Sequence, residues 1–130
     1  MSHVERYLKT RERPPFAKGV KEAVKAKDTP LGFTNPSCCF CGAGVFDNEF
    51  AIHHEVPWVV IKEWLLKDYD FQVATEDQKL QAILDAYNYI ANLRAAHRVC
   101  NSADGNRARE YEAHKRHVDR VDVNGEWWHR

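Results

Sequence analysis

Two pairs of potential metal-binding side chains, Cys38-x-x-Cys41 and His97-x-x-Cys100, constrain this 130-residue chain more than any other feature. A two-residue spacing puts both members of a pair on one tight turn, where both side chains can point at a single ion. Gly42, directly after the first pair, permits the backbone of such a knuckle. Four donors on one ion leave no open position, which is the pattern of a structural Zn²⁺ site. The same residues also read as buried free thiols beside a surface histidine. Cys39 adds an ambiguity, since a donor set using it instead of Cys38 would have the less usual one-residue spacing. Three cysteines within four residues are poorly placed to pair with one another. A cytoplasmic setting, which we expect here, keeps thiols reduced.

The length is that of one ordinary domain, so residues 1–130 are expected to form a single one, and 44% apolar residues suffice for one core. Basic and acidic residues both number 19, which argues against a general polyanion binder. The charges are unevenly placed, however. Residues 1–27 hold eight basic and three acidic side chains, residues 28–90 three and ten, and residues 91–130 eight and six. Basic ends around an acidic middle fit a nucleic-acid face built from both termini, and equally fit solvated helix faces. No stretch approaches the length of a membrane span and no charged-then-apolar leader opens the chain, so a soluble, non-exported protein is expected.

Along the chain, residues 3–13 read as a short helix stopped by the prolines of "RPPF", and 17–28 as a second, lysine-rich helix. These form an N-terminal helical support over 1–28. "TPLGFTNPS" (29–37) is loop by composition. Residues 38–56 suggest a cysteine turn opening a β-hairpin, with Asp47-Asn48 at the bend and "FAIHHEV" returning. After Pro57, Trp58, Ile61, Trp64 and Leu65 share one helical face. Thr75 and Gln78 form a capping-box pattern before Leu80, Ile83, Leu84 and Tyr87, again at helical spacing. Residues 91–101 read as a short extended or turn segment, and "SADGNRAREYEAHKRHVDRV" as a final helix, so that 110–130 is C-terminal helix and tail. His114 and His117, three apart on that helix, fit a second metal site less well than a solvated face. Trp127 and Trp128 read as a core plug.

Two adjacent histidines, His53 and His54, lie between the two metal-binding pairs. Successive side chains on a strand point to opposite faces, so the two cannot share one role. Taken together, Cys-x-x-Cys, a strand ending "IHHEVPW" and then "ANLRAAHRVCNSADGNR" resembles the HNH endonucleases of the zinc-knuckle type. The resemblance covers residues 38–109. It implies an α+β fold with a small ββα-metal core and a zinc knuckle, embedded in additional helices, with 58–91 as a helical insert. It implies metal-dependent hydrolysis of DNA, leaving 5′-phosphate and 3′-hydroxyl ends. His54 corresponds to the general base, and His53 and Asn101 to the ligands of a catalytic divalent ion. Asn92 corresponds to the middle asparagine, which orients the base through backbone contacts.

His97 stands where most members have cysteine, and a one-histidine, three-cysteine set is still an ordinary zinc site. His53 stands where many members have aspartate, a variation shared with the HNH nuclease toxins, so that a toxin domain neutralised by an immunity or regulatory protein is a further reading of this chain. Two neutral ligands suit Ni²⁺, Zn²⁺, Co²⁺ or Mn²⁺ better than Mg²⁺. Glu55 and Asp104 are carboxylates near enough in sequence to compensate. Arg94, Arg98, Arg107, Arg109, Lys115 and Arg116 flank the site and are candidates for phosphate contacts to double-stranded DNA. The expectation is a monomeric nuclease. Its rival is a non-catalytic zinc-knuckle module that only binds nucleic acid.

Overall fold

A computed structural model describes residues 1–105, with side chains as far as Ser102. In chain order the elements are α1 (His3–Lys9), α2 (Val20–Asp28), β1 (Phe50–His54), α3 (Trp58–Lys67), α4 (Tyr69–Gln72), α5 (Glu76–Tyr87), β2 (Leu93–His97) and α6 (Arg98–Gly105). Single 3₁₀ turns lie at Asp47–Glu49 and Ile90–Asn92. The class is α+β, several helices and a small two-stranded antiparallel sheet. Among the described residues the chain forms two compact units, 1–17 with 56–89, and 18–55 with 90–105. The stretch 1–28, expected as one support, therefore contributes to both.

The first unit is helical, and its helices begin where local chemistry says they should. Ser2 accepts the Glu5 N–H at 3.1 Å and Glu5 returns a bond to Ser2, which caps α1. Asp68 caps α4 by accepting the Phe71 N–H at 3.0 Å. Thr75 and Gln78 form the reciprocal capping box anticipated from sequence at the start of α5. Trp58, Ile61 and Leu65 of α3 and Ile83 and Tyr87 of α5 are buried, as the spacing predicts. Trp64 and Leu84 are only partly covered. Trp58 and Tyr87 meet edge to face, with ring centres 5.3 Å apart. The Asn88 side chain pins the extended segment after the prolines, accepting the Ala17 N–H at 2.8 Å and donating to the Pro15 carbonyl at 3.3 Å.

The second unit is built on the sheet. The strands pair from Phe50 opposite His97 to His54 opposite Leu93. Val20 and Val24 of α2 pack on Leu93 and Ala95 of β2, with Phe50, Ile52 and Ile90 around them. The α6 helix packs against both strands. Gly19 starts α2 with φ +86°, a left-handed conformation that a residue with a Cβ adopts only with strain. At the other end Asp28 accepts the Ala95 N–H at 2.6 Å, which ties the helix terminus to β2.

The hairpin expected over 38–56 does not form. Its first arm contributes only an isolated bridge between Ser37 and Gly44, and the Asp47-Asn48 bend is a 3₁₀ turn leading into β1. The partner of β1 is β2, which lies in the 91–101 segment. The final helix also starts earlier than expected, at Arg98 rather than Ser102. The Cys38–Cys41 turn is hydrogen-bonded to β2, through Cys39 N–H and the Ala95 carbonyl, and does not extend β1 into a hairpin. No described helix is long and apolar enough to cross a membrane.

Candidate functional site

The segment 36–45 is a tight knuckle held by its own backbone. Cys38 N–H donates to Ala43 at 2.8 Å, Gly42 N–H to Cys38 at 2.9 Å, and Val45 N–H to Pro36 at 2.8 Å. Closing this turn requires a left-handed residue, supplied by Gly42 at φ +80°. Cys39 N–H donates to the Ala95 carbonyl at 3.0 Å, fixing the knuckle to β2. The result places Cys38, Cys41, His97 and Cys100 together, their donor atoms all within 4.8 Å of one another. His97 Nδ1 lies 3.4 Å from Cys41 Sγ and 3.9 Å from Cys100 Sγ. Zinc bonds of ~2.3 Å to sulfur and ~2.0 Å to nitrogen give tetrahedral edges of about 3.5–3.8 Å, so the spacing fits such an ion. The set expected from sequence can therefore hold a metal, and it uses Cys38, not Cys39.

The surroundings of these donors favour a cation. Burial pushes the Cys38 thiol up, but backbone N–H groups of Cys41, His97 and Phe40 point at its sulfur and bring it down to about 6. Two of those contacts are 3.4 Å from Phe40 and 3.5 Å from His97. Cys100 is pushed the other way, to about 11, by burial and then by the Cys38 sulfur beside it. Cys39 also rises to about 11, from burial and the Cys38 charge, and stays a neutral thiol outside the donor set. His97 Nε2 donates to the Gly44 carbonyl at 3.0 Å and lies 3.3 Å from Glu49 Oε1. Such an outer partner fixes the ring and aims Nδ1 at the sulfurs. The Gly44 carbonyl, against some burial, raises His97 to about 9, helped by the Cys38 and Cys41 sulfurs. Gly44 and Glu49 were not legible as site residues, because nothing in their local sequence marks them as partners of a histidine some fifty positions away.

At the other end of the sheet the two histidines diverge as alternation requires. His53 lies opposite Arg94 and is half-buried, while His54 lies opposite Leu93 and is buried. His53 Nδ1 is 3.0 Å from Asn101 Oδ1, bringing together residues from β1 and α6. Two donors bound about 2.1 Å from one octahedral ion at right angles lie about 3.0 Å apart. The spacing suits a direct hydrogen bond equally well. The ring of Phe40, from the knuckle, meets His53 with centres 4.7 Å apart at 66°. Asn92 is buried, and its carbonyl accepts the Glu55 N–H at 2.9 Å, closing the chain just past His54.

Of the basic residues, Arg94 is already engaged by its own chain. It donates to Glu55 at 3.1 Å and sits 3.6 Å from the largely buried Asp28 carboxylate. Glu55, expected as a compensating carboxylate, is thus an ion-pair partner of Arg94. Arg98 is exposed at the start of α6. The Asp104 side chain, and Arg107, Arg109, His114, Lys115, Arg116, His117, Trp127 and Trp128, lie outside the described residues. The chain matches no protein-family profile, no curated protein and no solved structure.

Proposed function

We propose that this chain is a metal-dependent endonuclease of the HNH kind, with a ββα-metal core formed by β1, β2 and α6, and a structural zinc held by Cys38, Cys41, His97 and Cys100. The observation that carries the reading is the approach of His53 Nδ1 to Asn101 Oδ1, 3.0 Å, beside a three-cysteine, one-histidine cluster. In this reading His53 and Asn101 hold a divalent cation. When bound, it supplies positive charge at the scissile phosphate and the leaving oxygen. His54 accepts the proton of the attacking water, work that an imidazole can do near neutral pH. Asn92 fixes the turn after His54 through its bond to Glu55. With Glu55 committed to Arg94, the two neutral ligands favour Mn²⁺, Co²⁺ or Ni²⁺ over Mg²⁺. The substrate is DNA, double-stranded for preference, and Arg98, exposed at the start of α6, is available to meet a phosphate.

The test is plasmid cleavage by the zinc-loaded full chain across Mg²⁺, Mn²⁺, Co²⁺ and Ni²⁺, with EDTA as control. His54→Ala should keep DNA and metal binding while losing about 10²–10⁴ in rate, the usual contribution of a general base. A wild-type protein that binds DNA and cleaves it with none of these ions is the binding module, and the nuclease reading is then wrong.

A further inference from the structure

His53 of β1 pairs directly with Arg94 of β2, so the two side chains leave the same face of the sheet. Glu55 follows His53 by two positions, the spacing that returns to one face of an extended chain. Its N–H donates to the Asn92 carbonyl at 2.9 Å, which carries the pairing one step past the end of β1. On that face Glu55 Oε1 accepts from Arg94 Nη1 at 3.1 Å. Arg94 is held from a second side, since its Nε lies 3.6 Å from Asp28 Oδ2. Asp28 is itself tied to the Ala95 N–H at 2.6 Å and to Lys27 Nζ at 2.8 Å. The Asp28 side chain is 9% exposed and that of Glu55 49%, so the arginine is anchored at Asp28 and Glu55 is the partner able to leave.

Resting on the reading of His53 and Asn101 as a cation site, we propose that Arg94 is a specificity-determining residue for the metal, because its ion pair with Glu55 keeps that carboxylate off the cation. A carboxylate on the face of a cation ligand is otherwise drawn to the ion, and oxygen ligands of that kind favour Mg²⁺. While Arg94 holds Glu55, the site presents two neutral side chains and favours the later divalent metals. A guanidinium suits the task, since its planar fork turns one nitrogen to Glu55 and another to Asp28. Without Arg94, Glu55 has no ion-pair partner among the described residues, and a divalent cation becomes its strongest attraction. The size of the effect follows from the competition of one half-exposed ion pair against the metal. Such a pair is worth about a 1.5- to fivefold change in an equilibrium constant.

The experiment is Mn²⁺ titration of the zinc-loaded full chain, reading free Mn²⁺ by electron paramagnetic resonance, with Mg²⁺ added as competitor. Mn²⁺ is chosen because it ranks below zinc for thiolate sites and leaves the knuckle loaded. Wild type, Arg94→Gln, Glu55→Gln, the double variant and His53→Ala are compared, with zinc content and a thermal melt for each. Arg94→Met, which keeps the aliphatic stem, repeats the comparison in case the glutamine variant folds poorly. Arg94→Gln should tighten Mn²⁺ binding at unchanged zinc content and raise the affinity for Mg²⁺ relative to Mn²⁺. Made on top of Glu55→Gln, the same change should tighten binding about 1.5- to fivefold less, the part that depends on the freed carboxylate. No tightening in Arg94→Gln overturns the inference and leaves the nuclease reading standing. So does equal tightening with and without Glu55, because the arginine would then act through its own charge alone. An unchanged preference between Mg²⁺ and Mn²⁺ overturns it as well. Absence of a Mn²⁺ site in wild type, or its persistence in His53→Ala, overturns the cation site itself and this inference with it.

Discussion

Metal affinity at the four-donor cluster should depend steeply on pH, and the structure sets the slope. A ligand must shed its proton before it binds, so apparent affinity rises tenfold per pH unit for each proton released. Cys38, brought down to about 6 by backbone N–H groups that outweigh its burial, is already a thiolate at pH 7–8 and releases nothing there. Cys100, raised to about 11 by burial and the neighbouring Cys38 sulfur, is protonated in that window. So is His97, raised to about 9 by the Gly44 carbonyl and the cysteine sulfurs. Zinc binding between pH 7 and 8 should therefore release at least two protons, and log K should rise by about two or more per pH unit. The sign is fixed, since both groups are held protonated and acid releases the metal. Below about pH 6, where Cys38 itself takes up a proton, the slope should steepen by one further unit. Competition against a chromophoric chelator measures the slope. Calorimetry in buffers of different ionisation enthalpy counts the protons independently. A slope of one or less between pH 7 and 8 would refute the assignment of both His97 and Cys100 as ligands in the state described.

Cys41→Ala should remove zinc and most of the stability of the second unit, because binding energy at a closed site is folding energy; metal analysis and denaturant melts check it. Asp28→Ala should cost about 1–3 kcal/mol in urea unfolding, since it strands the Ala95 N–H inside a residue with no exposed surface. His53→Asp should keep nuclease activity and shift it toward Mg²⁺, as a hard carboxylate suits a hard ion; cleavage rates across the metal series decide it.

The sequence by itself determined what depends on a few neighbouring residues. The capped start of α5 was visible because Thr75 and Gln78 are three apart and their bonds close locally. The buried faces of α3 and α5 were visible because a helix repeats its contacts every turn. The four-donor cluster was visible because each x₂ pair is a short-range device, although only the folded chain selected Cys38 over Cys39. What sequence could not specify was the partner of each local piece. The apolar run ending in His53 and His54 looks the same whether it pairs with 43–46 or with Leu93–His97, because strand alternation carries no information about the neighbouring strand. The tertiary structure decided that pairing. With it came the seating of His97 against Gly44 and Glu49, the engagement of Arg94 by Asp28 and Glu55, and the contact between Phe40 and His53. All but the last join residues 39 or more positions apart in the chain, a separation across which local pattern is silent and packing alone chooses the neighbour.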